Sequence, residues 1–508
     1  MGIFNSKQPT ATRPLEVFMV MGACASLLLN GCAAGPDFVR PQPPSVKQYT
    51  QGSQPAETIS ANGEAQRFDQ GAKIAADWWR LFKSPELNAE IKEALADNPT
   101  LQAAEASLRE SQDNLKAGYG VFYPQLDVDS AAERQLFSPA KLGQTTAGGI
   151  FNLFTLGAVV GYTLDVFGGE RRRVEDLQAR VDFQRDTTLA TYLTLTANII
   201  NTSIARAAYM AQIDATEHVI SLENEQVKVA EAQATAGTVP YSNVLALQSQ
   251  LATTEAALPQ LKQKLSQTEH LLATLMGHVP AEWSPPQIEL DSLSLPNDLP
   301  LTLPSELVRQ RPDILAAEAQ LHSANAEIGV ATAALLPSFT LNGTYGVNST
   351  STNELLKKSS SFWSLEPDAG IPVFHGGTQW FGRKAAVEAY RQSLANYRQT
   401  VLSAFAQVAD TLRALEHDAE TLRAQSRALD TAMEAQRLIE INYQAGTVSY
   451  LDVLNANNQY YQAKIAYLQI VPQRLQDSVA LFVALGGGWW NTKGGDIFGG
   501  QLPPADGL

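Results

Sequence analysis

The chain has 508 residues, of which 44% are hydrophobic, and its formal net charge is −15. This acidic balance offers no basic face for nucleic acid, and downstream of Cys32 no apolar run reaches the roughly 18 residues that would cross a bilayer as a helix. The only other cysteine, Cys24, lies in the same N-terminal segment, which excludes a disulfide framework as the source of stability.

The first 31 residues have the layout of a secretory signal. Two basic residues are followed by a mostly apolar stretch over 15–29, and Asn30-Gly31 precede Cys32. Leu-Asn-Gly-Cys resembles a bacterial lipobox, which implies cleavage before Cys32 and lipid such as palmitate on the new N-terminal cysteine. By the same resemblance, Ala33 favours the outer membrane. The alternative is a buried cysteine in a signal that is cut elsewhere.

The chain contains one unit twice. Residues 98–128 match residues 311–341 at an offset of 213, and residues 236–245 match residues 445–454 at an offset of 209. This pattern indicates a tandem duplication of about 210 residues, longer than solenoid repeats. We divide the chain into a signal peptide (1–31), an N-terminal linker (32–76), a first repeat (77–277), an inter-repeat linker (278–303), a second repeat (304–486) and a C-terminal tail (487–508).

Each repeat opens with an alanine-rich helix, predicted over about 84–120 and about 304–335 and ended by a proline that cannot continue it. A first strand, a polar loop, a second strand and a pair of glycines come next. They cover 126–131 and 339–347 for the first strand, 137–149 and 348–361 for the loop, and 152–166 and 361–374 for the second strand.

The first strand of the second repeat has a clear period of two. Its apolar residues are predicted on one face and its polar residues on the other. The first set is Phe339, Leu341, Tyr345 and Val347, and the second is Thr340, Asn342 and Thr344. The equivalent strand of the first repeat alternates more weakly.

Long helices follow the glycine pairs. Residues 170–235 contain no proline or glycine, and at about 1.5 Å per residue they predict a helix of roughly 100 Å. Gly237 ends it as a left-handed cap, and a heptad seam on the returning helix over 240–276 predicts antiparallel coiled-coil packing, with a kink at Pro259. The seam residues are Val244, Leu247, Leu251, Leu258, Leu261, Leu265, Leu272 and Leu275, with Thr254 and Thr268 in the remaining positions.

The number of strands predicts an oligomer. Two strands per repeat give four per chain, whereas the smallest transmembrane barrels have about eight and are filled by side chains. An open sheet edge is not viable in lipid. Two copies would supply eight strands and no pore, and three would supply twelve and leave room for a channel. The alternative is that these hairpins are soluble parts of a lipid-tethered coiled-coil protein.

Several motifs together resemble the TolC-like outer-membrane efflux proteins, in particular the lipoprotein branch that serves resistance-nodulation-division pumps. They are GCAAGPDFVRP (31–41), WWRLF with SPELN (78–82 and 84–88), RPDILAAEAQL (311–321), LLPSF (335–339), VFHGG (373–377) and the paired AGTV turns. The resemblance covers nearly all of the chain after Cys32. It implies a mainly α fold with β-structure: a trimer with a twelve-strand transmembrane β-barrel, a twelve-helix periplasmic α-barrel and an equatorial domain.

The same resemblance implies a passive exit duct of a tripartite efflux system that exports small molecules such as drugs. Its partners would be a periplasmic adaptor, a resistance-nodulation-division pump of the inner membrane, and outer-membrane lipid. The hairpin tips, Gly237-Thr238 and Gly446-Thr447, are expected to face the adaptor, and both glycines also serve as helix caps. The alternatives are the outer-membrane component of a type I protein secretion system and a tethered scaffold without a channel.

A periplasmic gate is also implied by the resemblance. Asp452 falls on the family's ring aspartate, and three carboxylates around an axis would raise one another's pKa. Asn455 and Asn243 are uncharged where relatives can carry an aspartate. Tyr443 matches a tyrosine of the inter-hairpin link, whereas Val448 does not match its basic partner. The alternative for Asp452 is a first-turn acid favoured by the helix dipole.

The sequence does not favour an enzyme. Its six histidines have no metal-ligand spacing, and it lacks the GxSxG, HExxH and phosphate-loop motifs. We expect no catalytic residues, no metal and no cofactor apart from the covalent lipid on Cys32. The pairs Trp78-Trp79 and Trp489-Trp490 are expected to pack in the core or the equatorial belt.

Overall fold

The computed structural model describes residues 33–52, 55–61, 64–138, 143 and 148–492. The predicted signal peptide, Cys32 and most of the C-terminal tail lie outside the described residues. These residues form eight α-helices and six β-strands, with short 3₁₀ turns between them. In chain order they are β1 (Arg67–Gln70), α1 (Pro85–Asp97), α2 (Pro99–Gly118), β2 (Gln125–Phe137), β3 (Gly149–Leu164), α3 (Gly169–Thr235), α4 (Tyr241–Leu275), β4 (Asp298–Leu301), α5 (Pro304–Gln310), α6 (Pro312–Ala333), β5 (Ser338–Ser349), β6 (Ser361–Gly370), α7 (Thr378–Gln444) and α8 (Tyr450–Ala484).

The opening helix of each repeat is broken in two, which corrects the uninterrupted helices predicted there. Asn98 separates α1 from α2, and Arg311 separates α5 from α6. Both residues are extended, with ψ of 119° and 125°, because the ring of a following proline disfavours the helical conformation. Pro99 and Pro312 then start the next helix, at a position where the missing N–H has no intrahelical partner anyway.

The four longer strands form one antiparallel sheet in the order β2-β3-β5-β6. β2 runs to Phe137, further than its weak alternation predicted, and β6 ends at Gly370, so residues 371–374 are not part of it. A second, parallel pair, β1 with β4, joins the N-terminal linker to the inter-repeat linker and was not predicted.

The described residues belong to two compact units, and each contains parts of both repeats. One unit, here called the sheet unit, consists of 33–40, Arg109–Asp182 and Glu318–Asn396, and holds the four-stranded sheet. The other, here called the hairpin unit, consists of Pro41–Leu108, Phe183–Ala317 and 397–492. It holds α4, α8 and most of α3 and α7, which form the first hairpin, α3–α4, and the second hairpin, α7–α8. Residues 169–182 of α3 and 378–396 of α7 belong to the sheet unit.

Helix pairing in the first hairpin is antiparallel, as predicted. Gln248 of α4 bonds Glu231 of α3 at 3.1 Å, whereas Lys262, further along α4, pairs with Glu217, further back along α3, at 2.8 Å. Of the predicted seam, Val244 and Leu272 are fully buried within the single chain, and the remaining leucines are half-buried. α4 continues through Pro259.

The tryptophan pairs pack in the hairpin unit, as expected. Trp78 is buried and stacks on Phe482 with ring centres 4.9 Å apart. The Trp489 indole donates to the Gln310 carbonyl at 2.9 Å. Trp78, Phe482 and Phe82 of the first repeat's opening turn belong to one apolar core, against which Trp79 and Trp490 pack.

The returning helix of each repeat ends against the break in that repeat's opening helix. The Asn98 side chain donates to the Leu275 carbonyl at 2.8 Å, and the Arg311 guanidinium donates to the Ala484 carbonyl at 2.9 Å. Both contacts satisfy a carbonyl in the last turn of a helix, which has no intrahelical donor. The two repeats therefore share this contact although its donor differs between them.

Two glycines allow the end of each returning helix to pack closely against the break in the opening helix. Gly277 and Gly486, the pair related by the offset of 209, have φ of 81° and 93°. A Cβ on Gly277 would lie 2.6 Å from the Asp97 carbonyl oxygen, and a Cβ on Gly486 would lie 3.2 Å from that of Gln310. Both positions therefore need glycine for conformation, and Gly277 also needs it for space.

We predict that Gly277→Ala destabilises the protein more than Gly237→Ala. Gly237 also has a positive φ, of 73°, but no atom lies within 4 Å of the point that a Cβ would occupy, so alanine there meets only conformational strain of about 1 kcal/mol. Alanine at 277 must in addition displace backbone, and we expect a loss larger by about 2 kcal/mol. Denaturant unfolding of both variants measures the difference, and equal losses would contradict the packing argument.

Candidate functional site: the hairpin tips and the sheet

Both hairpin tips have the same turn. At the end of α3, Gly237 N–H donates to the Ala234 carbonyl and Thr238 N–H to the Gln233 carbonyl, each at 3.0 Å. At the end of α7, Gly446 and Thr447 make the matching bonds to Tyr443 and Asn442, at 2.9 and 3.0 Å. This is a Schellman cap, and glycine supplies the left-handed residue it needs. The predicted capping role of both glycines is confirmed.

The threonine after each glycine locks the turn. The Thr238 hydroxyl donates to the Gln233 carbonyl and the Thr447 hydroxyl to the Asn442 carbonyl, both at 2.9 Å. Gly237, Thr238 and Gly446 are exposed, as is Thr447. The four residues predicted to dock a partner therefore form two rigid surface turns.

Asp452 belongs to a capping box at the start of α8. Its carboxylate accepts from the Ser449 N–H at 2.8 Å and from the Ser449 hydroxyl at 2.6 Å, while the Ser449 oxygen accepts from the Asp452 N–H at 3.3 Å. These bonds from Ser449 lower the pKa of the exposed Asp452 carboxyl. The first-turn role weighed for Asp452 is thus present in the single chain, and the raised pKa expected for a ring of three copies stays a prediction.

The two tips of one chain enclose a groove of about 480 Å³. Asn243 and Tyr443, two of the predicted gate residues, both line it, and the rings of Tyr443 and Tyr450 lie 5.5 Å apart at its wall. Asn455 is exposed one turn beyond Asp452 and is not part of this groove. The structure therefore brings two of the four gate residues to one surface. Sequence reasoning missed Val239, Tyr450 and Leu454, whose apolar side chains also form it.

The sheet has one apolar face and one polar face. Cross-strand partners share a face, so the pairings Val128↔Ala158, Ala158↔Tyr345 and Tyr345↔Trp363 trace one row across all four strands. The faces predicted for residues 339–347 are confirmed. The apolar face consists of Leu126, Val128 and Leu136, of Phe154, Leu156, Ala158, Val160 and Tyr162, of Phe339, Leu341, Tyr345 and Val347, and of Trp363, Leu365 and Pro367, with Arg134 and Asn152 at its far end.

This apolar face is exposed in the single chain. Trp363 is 75% exposed, Val128 71% and Tyr345 65%. Exposed apolar surface on this scale marks contact with a membrane or another protein. Within the described part of the chain, no helix combines the length and hydropathy of a membrane-spanning segment.

The opposite face is acidic. It presents the carboxyl groups of Asp127, Asp129, Glu133, Glu366 and Asp368, together with Thr340, Asn342 and Thr344, whereas β3 contributes Phe151, Leu153 and Val159 to it. Among the four described strands, no lysine or arginine lies on this face. β2 and β6 flank the sheet, and each has one strand partner within the chain.

The segment just after Cys32 is bound in the sheet unit. The buried Arg172 guanidinium donates to the Ala34 carbonyl at 3.2 Å and to the Asp37 carboxylate at 2.6 Å. Phe38 stacks on His322 with ring centres 4.3 Å apart, and Arg40 forms an ion pair with Glu318 at 2.5 Å. Residue 33 therefore has a fixed position at the start of the described chain.

Comparison with known proteins identifies the family. The model of the outer membrane efflux protein family matches residues 91–278 and 303–487. The chain belongs to this family.

Individual relatives match over most of their length. The cation efflux system protein CusC of Escherichia coli K12 is 28% identical over 468 residues, covering 92% of this chain and 98% of CusC. The pyoverdine export outer membrane protein OpmQ of Pseudomonas aeruginosa is 30% identical over 465 residues, covering 87% and 95%. The solved structure of the outer-membrane channel OprN superposes with a TM-score of 0.80 at 26% identity, covering 90% of this chain and 100% of OprN.

We predict that the Asp452 carboxylate protects the second tip from hydrogen exchange. Because the folded-state pKa is lowered, this contribution is present at neutral pH and is lost as the pH falls through that lowered pKa. In Asp452→Ala the amides of residues 447–454 should exchange several-fold faster at neutral pH and match the parent in acid. Gln459→Ala, also exposed on α8 but outside the capping box, is the control. Equal exchange in the parent and Asp452→Ala at neutral pH would remove the carboxylate from this role.

Proposed function

We propose that the protein is the outer-membrane exit duct of a tripartite efflux system and that it works as a trimer. The observation that carries the proposal is the four-stranded sheet, with an exposed apolar face, an acidic face and two flanking strands that each lack a second partner among the described residues. In lipid, every backbone group must be paired, so β2 of one copy would pair with β6 of the next. Three copies would close twelve strands around an acidic lumen.

The helical part of the proposal follows the family. Three copies would bring together twelve long helices as a periplasmic duct, with the equatorial region around them. The rigid tips formed by Gly237, Thr238, Gly446 and Thr447 would contact a periplasmic adaptor, and an inner-membrane pump of the resistance-nodulation-division type would supply the energy. CusC and OpmQ are named for export of cations and of pyoverdine, which supports an export role for this chain without defining its substrate.

A second candidate function is a lipid-tethered periplasmic scaffold that does not conduct. The antiparallel hairpins and the bound N-terminal segment fit both functions. The exposed Trp363, Val128 and Tyr345 favour the duct, because a scaffold in water would cover such side chains.

We predict that the purified protein migrates as a heat-modifiable trimer and conducts ions in planar bilayers. The carboxylates on the polar face should make the pore cation-selective, visible as a shifted reversal potential in a salt gradient. Neutralising Asp127, Asp129 and Glu366 together should reduce that shift, while neutralising exposed Glu388 and Asp430 on α7 should not. A monomer without conductance would leave only the scaffold.

We propose that Cys32 carries lipid and anchors the chain in the outer membrane. Ala33 follows it directly, and the Ala34 N–H donates to the Phe167 carbonyl at 2.8 Å, three residues beyond the end of β3. Lipid on Cys32 would therefore attach close to the end of a strand of the sheet.

Mass spectrometry of the protein from outer membranes should show acyl groups on an N-terminal Cys32. In Cys32→Ser they should be absent, with retention of an uncleaved or differently cleaved signal. Because acyl chains contribute about 0.8 kcal/mol per buried CH₂, their loss weakens attachment of the unassembled chain. An unmodified Cys32 in the parent protein would refute lipidation but would not contradict the proposed exit duct.

A further inference from the structure

A cavity of about 180 Å³ lies in the hairpin unit, between the first hairpin and α8, and is lined by both polar side chains and leucine and alanine side chains. α3 contributes Glu223 and Gln226, α4 contributes Gln250, and α8 contributes Asn455, Asn458 and Tyr461. Residues with amide, phenol and carboxyl oxygens thus line the cavity from three helices. The described lining contains no lysine, arginine or histidine.

Glu223 is the charged group of this cavity. It is only 9% exposed, and its Oε2 atom is buried without a hydrogen-bond partner in the described structure. A buried carboxylate oxygen without a donor is costly, since the desolvation of the charge is not offset. The Oε2 atom of Glu223 therefore lacks a partner that would offset its burial.

The surroundings of Glu223 do not provide a cation. Burial raises the pKa of its carboxyl, hydrogen bonding with the Thr254 and Gln250 side chains lowers it, and the Glu255 carboxylate raises it. Burial also raises the pKa of Tyr461 to about 12, with Glu440 and Glu223 among the charges that act on it. The His218 ring lies 6.2 Å from that of Tyr461 and outside the cavity lining. The local potential is negative.

We propose that this cavity is a binding site for one small monovalent cation, an alkali metal ion or ammonium, held with water between Glu223 and the amide oxygens of α3, α4 and α8. One carboxylate balances one positive charge, whereas a divalent ion would stay half-compensated in a buried site. Water occupies about 30 Å³ per molecule in the liquid, so the volume accepts a cation with part of its hydration shell.

The ligand chemistry limits the choice of ion. Carboxylate, amide and hydroxyl oxygens suit hard cations, and the lining has no thiol, thioether or imidazole that would select copper, silver or zinc. No group of three or more His, Cys, Asp or Glu side chains arranged for a metal ion is present among the described residues. The site is thus distinct from a transition-metal centre.

A cation bound in this cavity would link the first repeat to the second. Glu223 lies in the first hairpin and Asn455 in the second, and the tip groove shares Ala246, Leu247, Leu451 and Leu454 with this cavity. A bound cation would replace the missing donor and hold α8 against α3 and α4 one to two turns from the groove. This inference goes beyond the exit duct and does not depend on conductance.

The test compares the full chain, purified from membranes, in potassium, sodium or ammonium chloride with choline chloride at equal ionic strength. In choline the charged nitrogen is shielded by methyl groups and carries no N–H, so oxygen ligands cannot approach it closely, and choline serves as the inert cation. Binding to the folded state stabilises it, and we expect a thermal midpoint higher by about 2 °C or more in the small cations. Glu223→Gln, which is isosteric, should lose that difference, and Glu225→Gln, an exposed carboxyl two residues away, should keep it.

A second variant guards against a folding defect in Glu223→Gln. Asn458→Leu replaces an amide by an apolar side chain of similar shape while retaining the Glu223 carboxyl, and it should also lose the cation-dependent difference. In crystals grown with rubidium chloride, an anomalous peak should lie within the cavity of the parent protein. Equal midpoints in potassium and choline, persistence of the difference in Glu223→Gln, or a cavity without a rubidium peak would each overturn the proposal, whatever the conductance measurements give.

Discussion

The contact on which the hairpin unit depends is the one between the end of each returning helix and the break in each opening helix. Asn98 and Arg311 occupy that break, and each donates to a carbonyl in the last turn of α4 or α8. Their extended backbone is imposed by the proline that comes next, so local sterics place the donor and helix-end electrostatics supply the acceptor. Arg311 also binds Asp313 at 2.6 Å and the Gln407 side chain at 2.8 Å, which ties α5, α6, α7 and α8 at one point.

Both hairpins have this contact at the end of the returning helix, and they also have the same helix lengths. α3 and α7 each have 67 residues, and α4 and α8 each have 35. With equal lengths from the same kind of anchor, both tips form the same Schellman turn. The repeats differ in the residues directly after the turn: Ser449 and Asp452 form a capping box, whereas Pro240 and Asn243, 209 residues earlier, do not. The second tip is therefore the charged one, which separates the roles available to the two turns.

The sequence predicted the elements whose cause is local and missed those whose cause is tertiary. Glycine caps, the alternation of residues 339–347 and the long helices depend on single residues or short periods and were predicted, whereas the ends of β2 and β6 were not. The breaks before Pro99 and Pro312 also have a local cause and could have been predicted from the prolines. The alanine-rich sequence on both sides nevertheless favoured one continuous helix. The β1–β4 pair has four residues per strand and no alternation to reveal it. In the sequence, Glu223 looks like any exposed acidic residue of a helix. Its burial depends on packing against α4 and α8, which the sequence alone does not show.

The gate residues show the same limit most clearly. Tyr443 and Asn243 meet at one groove because two hairpins about 200 residues apart in the chain have matched tips, a relation that only the duplication signals. In the single chain, the Asp452 carboxylate already accepts hydrogen bonds from the N–H and the hydroxyl of Ser449. Each carboxylate of a ring of three copies would therefore keep two neutral donors. Those donors favour the charged form, and repulsion between copies opposes it. The balance of the two would decide whether the predicted ring carries three charges, so Ser449 would influence the charge that Asp452 carries there.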